Sequence, residues 1–327
     1  MYLSFSARVI LDAEALNMAE SAGNYTRHRR APLVVKTADG GYVVRYVPAI
    51  SGESIAHGYQ AVLAELALKD GLPVCRLCAR GEFVKHAAKE LFAGEQWEDA
   101  LKDAKTAKNE EARHNVEKAV VEHCVVEDVG GFLYTDALVR RTAKAWFGYA
   151  LPSRAFYQAA ALEPQLHTRV SAKVEKKSEE GQGVSGQMLY YVETGSAVYA
   201  LSGLLDICGI GCTTMVRREC VDDAVRRRKL AVEALAVLLG NMWFGAKRSR
   251  FLPGWELESA VFALSKKPFM VTSAHVADYI EDTVGRAKIA GDVAVLYYGQ
   301  KEVPSAVKLS AVEELPKRID EEKLKCP

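Results

Sequence analysis

The sequence has almost no net charge and no long uninterrupted apolar run. Its 43 lysines and arginines are balanced by 42 aspartates and glutamates, which leaves a formal net charge of +1. An acidic partner must therefore be bound by local clusters of cations, because the chain as a whole has no strong field. The most apolar long stretch, residues 197–215, contains Asp206 and a Gly-Ile-Gly sequence. Since a charge is costly in lipid and glycine weakens a helix, we expect no membrane span.

Two further absences concern the cellular compartment. The N-terminus lacks the basic start and the unbroken apolar run of a secretory signal peptide. The seven cysteines are an odd number, unlike the paired cysteines of a small secreted framework. We therefore expect a cytoplasmic protein. The composition, with 49% hydrophobic and 26% charged residues, is that of an ordinary globular chain and excludes disorder.

The sequence also lacks the motifs of several common enzymes. It contains neither a Walker A lysine motif nor a nucleophile elbow. Gly181, Gly183 and Gly186 match the dinucleotide fingerprint G-x-G-x-x-G, which needs an apolar strand before it and a helix after it. Here the charged residues 176–180 precede the glycines and a strand-like run follows them. We therefore interpret these glycines as the tip of a hairpin, and we predict no cofactor.

Hydrophobic periodicity predicts an α+β fold in which helices cover one face of a sheet. Alternation over residues 2–12 predicts a strand, and a glycine-rich turn between residues 32–36 and 42–47 predicts a hairpin. Residues 51–68 have helical spacing with Ser51 as a suitable N-cap, and the polar, basic residues 24–30 are interpreted as a loop.

The second half of the chain adds a helix over residues 222–239 and a strand at residues 260–264. Two strand-like runs flank a polar link and predict a protruding hairpin at about residues 168–194. Residues 71–122 are rich in helix formers and predict a mainly helical insertion. The core is then formed by residues 1–70 and 123–327.

The cysteines and histidines give weak signals for a metal. Cys75 and Cys78 form a single C-x-x-C pair, whereas structural zinc usually needs a further pair of ligands. Metal binding, a disulfide and ordinary thiols all stay open for this pair. Cys208 and Cys212 are interpreted as ordinary thiols. Glu53 and His57 lie four residues apart on the predicted helix, but no third ligand is visible, so we predict no metal site.

Clusters of cations are more informative. Residues 24–46 contain five cations and one acid, and Arg140, Arg141 and Lys144 form a second group, with a third at residues 247–250. Each group lies in or beside a predicted loop, where backbone N–H groups can also reach phosphates. The hydroxyls and amides of residues 51–54, at the predicted helix start, add another anion site. The pattern favours a polyanion partner.

The same segments resemble a known family. Residues 16–32, 44–60, 124–133, 165–169, 190–195 and 243–253 are similar to the backbone subunit of the archaeal type I-A CRISPR interference complex, Cascade, in the DevR-type branch of the RAMP superfamily. The resemblance implies a modified, ferredoxin-like RNA-recognition-motif core with a helical insertion and a protruding hairpin. It also implies a non-catalytic scaffold that polymerises along the spacer of CRISPR RNA. Its partners would be further copies of itself, other Cascade subunits and, through the RNA, target DNA.

The resemblance and the cation clusters together give a set of predicted RNA-binding residues. These are Asn24, Arg27, His28, Arg29, Arg30, Ser51, Gly52, Ser54, His57, Arg140, Arg141, His167, Arg169, Lys247, Arg248 and Arg250. No run matches the aromatic signature of ordinary RNA-recognition motifs, so we expect loops to bind the RNA. In the hairpin, either Val184 or Met188 could contact bases.

Two other functions stay open. The first is an RNA endonuclease that uses His167 or His57 as an acid or base, since histidine titrates near neutral pH. His167 could equally bind a phosphate or pack in the core. The second is a regulator that binds a specific DNA sequence.

Overall fold

The computed structural model describes residues 1–85, 91, 93–95, 97–99, 109–135, 138–170, 187–242, 244–319 and 321–326. Strands in these ranges are β1 (Tyr2–Glu14), β2 (Met18–Ala22), β3 (Tyr25–His28), β4 (Arg30–Lys36), β5 (Tyr42–Pro48), β6 (Phe132–Tyr134), β7 (Val139–Arg141), β8 (Ala145–Phe147), β9 (Leu151–Pro152), β10 (Ala161–Val170), β11 (Gln187–Asp206), β12 (Gly254–Ser265), β13 (Val293–Tyr298) and β14 (Val307–Lys308). Helices are α1 (Gly52–Lys69), α2 (Arg76–Ala79), α3 (Glu110–His123), α4 (Val125–Gly130), α5 (Ala224–Asn241), α6 (Tyr279–Ala290), α7 (Leu315–Arg318) and α8 (Glu321–Leu324).

The main sheet is built around β1 and the long strand β11. Its hydrogen-bonded order is β14-β13-β12-β1-β11-β3-β2. Strand β1 is antiparallel to both β11 and β12. Strands β8, β9 and β10 pair with successive stretches of β11, from its C-terminal end to its N-terminal end. The protein thus has a mixed α/β fold, as the periodicity predicts.

Helices lie on both faces of this sheet. On one face, Ile55 of α1 and Leu235 of α5 share a core with Phe5 and Phe262. On the other face, α6 packs against Val261 and its neighbours. Consecutive residues of β12 therefore point into different cores, because side chains alternate along a strand. The sequence predicts helices on one face only, and the cover provided by α6 corrects that expectation.

Local sequence signals predict several elements well. The strand at residues 2–12, the hairpin of β4 and β5, and the helix that begins after Ser51 are confirmed. The helix predicted at residues 222–239 is α5. The interpretation of residues 24–30 as a loop is wrong, since β2 and β3 form a hairpin there. Tyr25 and Thr26 of β3 pair with β11, a partner more than 160 residues away that local periodicity cannot reveal.

The predicted hairpin is present in its two arms. Strands β10 and β11 are antiparallel from the pair Ala161 and Ser196 to the pair Val170 and Gln187. Residues 171–186, which include Val184 and the three glycines of the fingerprint, lie outside the described residues. In the predicted insertion, the described residues form α2 and most of α3.

Four cysteines form disulfide bonds. Cys208 pairs with Cys326, and Cys212 pairs with Cys220. The interpretation of Cys208 and Cys212 as ordinary thiols is therefore wrong, because their partners come from the C-terminal end of the chain and from a nearby turn. Among the described residues, no helix is both long enough and apolar enough to cross a membrane.

Candidate nucleic-acid interface

The first part of the candidate interface is the N-terminus of α1. The Ser51 hydroxyl accepts a hydrogen bond from the Ser54 backbone N–H at 3.3 Å, and the Ser51 N–H donates to Asn17 Oδ1 at 2.8 Å. A Cβ atom on Gly52 would lie 2.2 Å from the Phe147 carbonyl oxygen, so only glycine fits there. The predicted N-cap is confirmed. The first turn of a long helix carries partial positive charge and unpaired N–H groups, which favour an anion.

Three segments meet at Leu16 and Asn17, between β1 and β2. The Arg29 backbone N–H donates to the Asn17 carbonyl at 2.8 Å, and Asn17 also accepts from the start of α1. The Ala246 N–H donates to the Leu16 carbonyl at 3.0 Å. The end of β3, the start of α1 and the loop after α5 are thereby joined. We call this junction the Asn17 hub.

Cations from the end of β3 lie beside the hub. Arg27 is exposed and is 3.9 Å from Glu20, and Arg30 is half-exposed with Nη2 at 2.8 Å from Glu193 Oε1. The exposed Asn24 donates from its side chain to the Leu189 carbonyl at 3.0 Å. Arg29 is partly buried at the hub itself. The structure therefore brings four of the predicted residues onto one edge of β11.

Glu193 organises this edge. Its carboxylate accepts from the Tyr25 hydroxyl at 2.8 Å, from the His28 backbone N–H at 2.9 Å and from Arg30. Burial disfavours the charged carboxylate, but these three donors outweigh burial and lower the pKa of Glu193. The ionised Glu193 therefore holds β3 against β11. Sequence reasoning missed this residue, although it follows Tyr190 and Tyr191 closely and is the only acid in residues 181–205.

The loop after α5 brings a second set of cations to the hairpin arms. Arg250 is exposed and donates from Nη1 to the Tyr190 hydroxyl at 2.7 Å. His167 pairs directly with Tyr190 across β10 and β11, with ring centroids 5.3 Å apart. The Phe251 ring lies nearly perpendicular to the same imidazole, with centroids 5.3 Å apart. Lys247 is partly buried, and burial together with Arg250 lowers the pKa of Lys247. A ring pair flanked by cations is a surface on which nucleic-acid bases and phosphates can both be held.

Three other predicted residues are His57, Arg248 and Arg169. His57 is exposed on α1, with its ring 5.0 Å from that of Phe83. Arg248, next to Lys247 in the loop, is partly buried. Arg169 lies on β10, and its side chain is outside the described part of the structure. The tyrosine at position 190 and Phe251 were missed as site residues because neither is charged.

His28 does not belong to the surface. Its side chain is fully buried, with Nε2 2.5 Å from Glu14 Oε1 and Nδ1 2.8 Å from the Arg29 carbonyl oxygen. The prediction that His28 contacts phosphate is contradicted, because no atom of the imidazole is accessible to a ligand. Glu14 in turn accepts from the Leu16 N–H at 2.8 Å. His28 is therefore a buried structural residue that supports the hub through Glu14 and the Arg29 carbonyl oxygen.

Stability should depend on pH through His28. Burial lowers the pKa of His28, but the hydrogen bond and charge of Glu14 outweigh it, so the folded-state pKa is raised. The stabilisation is therefore complete below the unfolded-state pKa of about 6.5 and is lost as pH rises through the folded-state value. His28→Gln should flatten this part of the profile. Melting temperature measured against pH for both proteins checks this, and parallel profiles would contradict it.

The second basic cluster is also largely internal. Arg141 and Lys144 are buried, whereas Arg140 points to solvent from β7. Arg141 donates to Glu117, to Asp128 and to the carbonyl oxygens of Gly209 and Cys212. The prediction that Arg141 binds RNA is wrong, because its guanidinium is already enclosed by protein acceptors. Lys144, whose pKa is lowered by burial and by Arg141, lies 3.8 Å from Asp206.

With this geometry in place, comparison with known proteins gives the class first. The chain has the fold of chains in solved structures titled "CRISPR RNA-guided surveillance complex, pre-nicking" (TM-score 0.56, 12% identity) and "CRISPR RNA-guided surveillance complex" (TM-score 0.51, 10% identity). The first covers 97% of this chain and 98% of that one, and the second covers 97% of each.

Sequence comparison gives the family. Residues 5–284 match the family model "CRISPR-associated negative auto-regulator DevR/Csa2". The chain is 40% identical to "CRISPR-associated aCascade subunit Cas7/Csa2 2" of Saccharolobus solfataricus over 98% of this chain and 100% of that protein. It is 26% identical to "CRISPR-associated protein Cas7/Cst2/DevR" of Methanocaldococcus jannaschii over 98% and 99%. The chain therefore belongs to the DevR/Csa2 family of CRISPR-associated proteins.

Proposed function

We propose that this chain is a non-catalytic scaffold that polymerises along the spacer of CRISPR RNA and presents it for pairing with invading DNA. The observation that carries the proposal is the Asn17 hub, where hydrogen bonds join two distant cation-bearing segments to the start of a helix. Membership of a family whose relatives include a named Cascade subunit supports it. Copies would stack by a heterologous, non-closing contact, which builds a helical filament, and other Cascade subunits would bind the assembly.

We further propose that the core is a modified RNA-recognition motif. In chain order, β1, α1, β10, β11, α5 and β12 follow the β-α-β-β-α-β sequence of a split βαβ fold. Their sheet neighbours, β12-β1-β11-β10, support the same topology. In this interpretation residues 71–122 are the inserted segment, and the arms of β10 and β11 extend from the core.

The proposed RNA contacts are the predicted residues that the structure leaves at least partly exposed. The Asn17 hub would hold the sugar-phosphate backbone through Asn24, Arg27, Arg29 and Arg30 on one side, and Lys247, Arg248 and Arg250 on the other. The backbone amides and hydroxyls of residues 51–54 would add an anion site beside them. His167 would add a ring contact beside Tyr190, and Arg140, Arg169 and His57 stay predictions. Contacts of this kind fix position without reading sequence, which suits a protein that must accept any spacer.

A second candidate function rests on one observation at His167. Nε2 of this residue is buried and has no hydrogen-bond partner among the described residues. An endonuclease would need such a nitrogen to reach a ribose hydroxyl or a leaving oxygen. The aromatic rings of Tyr190 and Phe251 occupy its surroundings, and this arrangement favours a ring that packs or stacks over one that transfers a proton.

The proposed function is tested by the nucleic acid that the protein retains. We expect purified protein to carry CRISPR RNA, identified by sequencing, and to bind single-stranded RNAs of unrelated sequence with equal affinity. Incubation should leave the RNA intact, and His167→Ala should not change this. Cutting that is lost in His167→Ala would overturn the scaffold in favour of the endonuclease. Preference for one duplex DNA sequence would overturn it in favour of a regulator.

A further inference from the structure

A cluster of buried thiols, which the RNA-binding surface does not use, lies where the insertion meets the core. Cys75, Cys78 and Cys124 have sulfur atoms within 4.8 Å of one another, and none of the three belongs to a disulfide. All three are buried, with at most 3% exposure. Sequence alone offers only the C-x-x-C pair, because Cys124 lies 46 residues beyond Cys78. The fold thus supplies the further ligands that the pair lacks.

The cluster is formed by two similar turns. Cys75 caps α2, and its sulfur accepts from the Cys78 backbone N–H at 3.5 Å. Cys124 caps α4, and its sulfur accepts from the Glu127 N–H at 3.5 Å. The two turns read C-x-x-C and C-x-x-E. In each turn the residue three positions after the cysteine contributes a second donor atom.

Glu127 offers a candidate fourth donor. Its Oε1 lies 3.6 Å from Cys78 Sγ, and the residue is only 3% exposed. Tetrahedral zinc binds sulfur at about 2.3 Å, which places ligating sulfurs about 3.8 Å apart. The three sulfurs, which lie within 4.8 Å of one another, are therefore close to the spacing required.

The donor atoms of the cluster favour one class of cation. A divalent cation binds deprotonated thiols and releases their protons to solvent. Soft thiolate ligands in a closed tetrahedral set select zinc among the abundant divalent metals.

We propose that Cys75, Cys78, Cys124 and Glu127 bind one structural Zn²⁺. The site joins the beginning of the insertion to the segment that returns from it, where the Val125 N–H already donates to the Pro73 carbonyl at 2.9 Å. The apolar cluster around it is small and separate from the main core. A small cluster of this kind gains stability from a metal that ties its ends together. This inference does not depend on the proposed RNA-binding function.

Metal content of the full-length protein tests the proposal directly. After expression in zinc-supplemented medium and dialysis against a weak chelator, we expect one zinc per chain by elemental analysis. Protein stripped of metal and titrated with Co²⁺ should develop thiolate-to-cobalt charge-transfer and tetrahedral visible bands, which Zn²⁺ then removes. The proposal would be overturned if the purified protein contained no zinc and the stripped protein gave none of these bands with Co²⁺. A Cys75–Cys78 disulfide, detected as failure of these thiols to alkylate after denaturation, would also overturn it.

Variants separate this cluster from the other cysteines. Cys124→Ser should lose zinc, whereas the double variant Cys208→Ser and Cys326→Ser should retain one zinc per chain. Glu127→Gln should weaken zinc binding by more than the roughly 10–100-fold that loss of an outer-shell partner costs. Unchanged affinity in Glu127→Gln would refute the assigned fourth ligand. The cobalt titration uses the unaltered chain, so the proposal is tested even where a variant fails to fold.

Discussion

Replacement of Arg141 by methionine should cost about 3–5 kcal/mol of the free energy of unfolding, because it leaves the buried Glu117 carboxylate without a cation and leaves Asp128 with Arg227 alone. The guanidinium lies 3.0 Å from Glu117 Oε1 and also contacts Asp128, and all three side chains are fully buried. It further donates at 2.8 Å to the Cys212 carbonyl oxygen and at 2.9 Å to that of Gly209. Chemical denaturation followed by circular dichroism measures the loss.

The neighbouring residue provides a matched control. Arg140→Met removes the same charge from the same strand, but Arg140 is exposed on β7. Surface substitutions of this kind usually change stability by no more than about 0.5 kcal/mol. Arg141→Lys should fall between the two, since an ammonium group cannot reach all the acceptors of a planar guanidinium. Equal stability of Arg140→Met and Arg141→Met would contradict the structural role of Arg141.

This buried network explains how the insertion is fixed to the core. Glu117 of α3 also accepts from the backbone N–H groups of Thr214 at 3.0 Å and Met215 at 2.9 Å. Asp128 of α4 accepts from the Gly211 N–H at 2.9 Å. The loop that carries both disulfides is thus held by the same carboxylates that hold Arg141. The basic cluster at residues 140–144 thus places Arg141 at the centre of the packed interface between the insertion and the core.

The contrast between Arg140 and Arg141 shows which information a sequence holds locally. Alternation over β1 and the cap at Ser51 depend on near neighbours, so both were predicted correctly. The inward orientation of Arg141 depends on Glu117 and Asp128, which reach it through the fold. A run of cations has the same sequence whether it faces phosphate or buried acids. The net charge of a segment does not determine which of its side chains point to solvent and which point into the protein.

The same reasoning accounts for the candidate interface. The sequence predicted that residues 24–30 and 247–250 carry cations, and the structure brings both segments to Leu16 and Asn17. Their convergence depends on non-local backbone hydrogen bonds and on Gly58, where a Cβ atom would lie 2.4 Å from that of Phe244. His28 was misassigned because its partner, Glu14, lies on another strand. The sequence thus indicates which segments form the interface, but it does not indicate which of their side chains are exposed there.

Charge reversal in both cation-bearing segments of the Asn17 hub should weaken RNA binding equally for every sequence. Arg27 and Arg250 are exposed and belong to the two segments that meet at the hub, so Arg27→Glu with Arg250→Glu removes one cation from each segment. For single strands, the slope of log affinity against log salt is about −0.7 per phosphate neutralised. If each arginine neutralises one phosphate, the slope should become shallower by about 1.4, measured by fluorescence anisotropy over a salt series.

The matched control lies on the other face of the sheet. Arg286 and Lys288 are exposed on α6, which covers the face opposite α1 and α5, so Arg286→Glu with Lys288→Glu changes the net charge by the same amount. We expect this variant to retain the parent salt slope within error. If the α6 variant flattened the slope as much as the hub variant, binding would follow overall charge and not a defined track. If the hub variant lost affinity for one RNA sequence only, Arg27 or Arg250 would be reading bases, because phosphate contacts carry no sequence information.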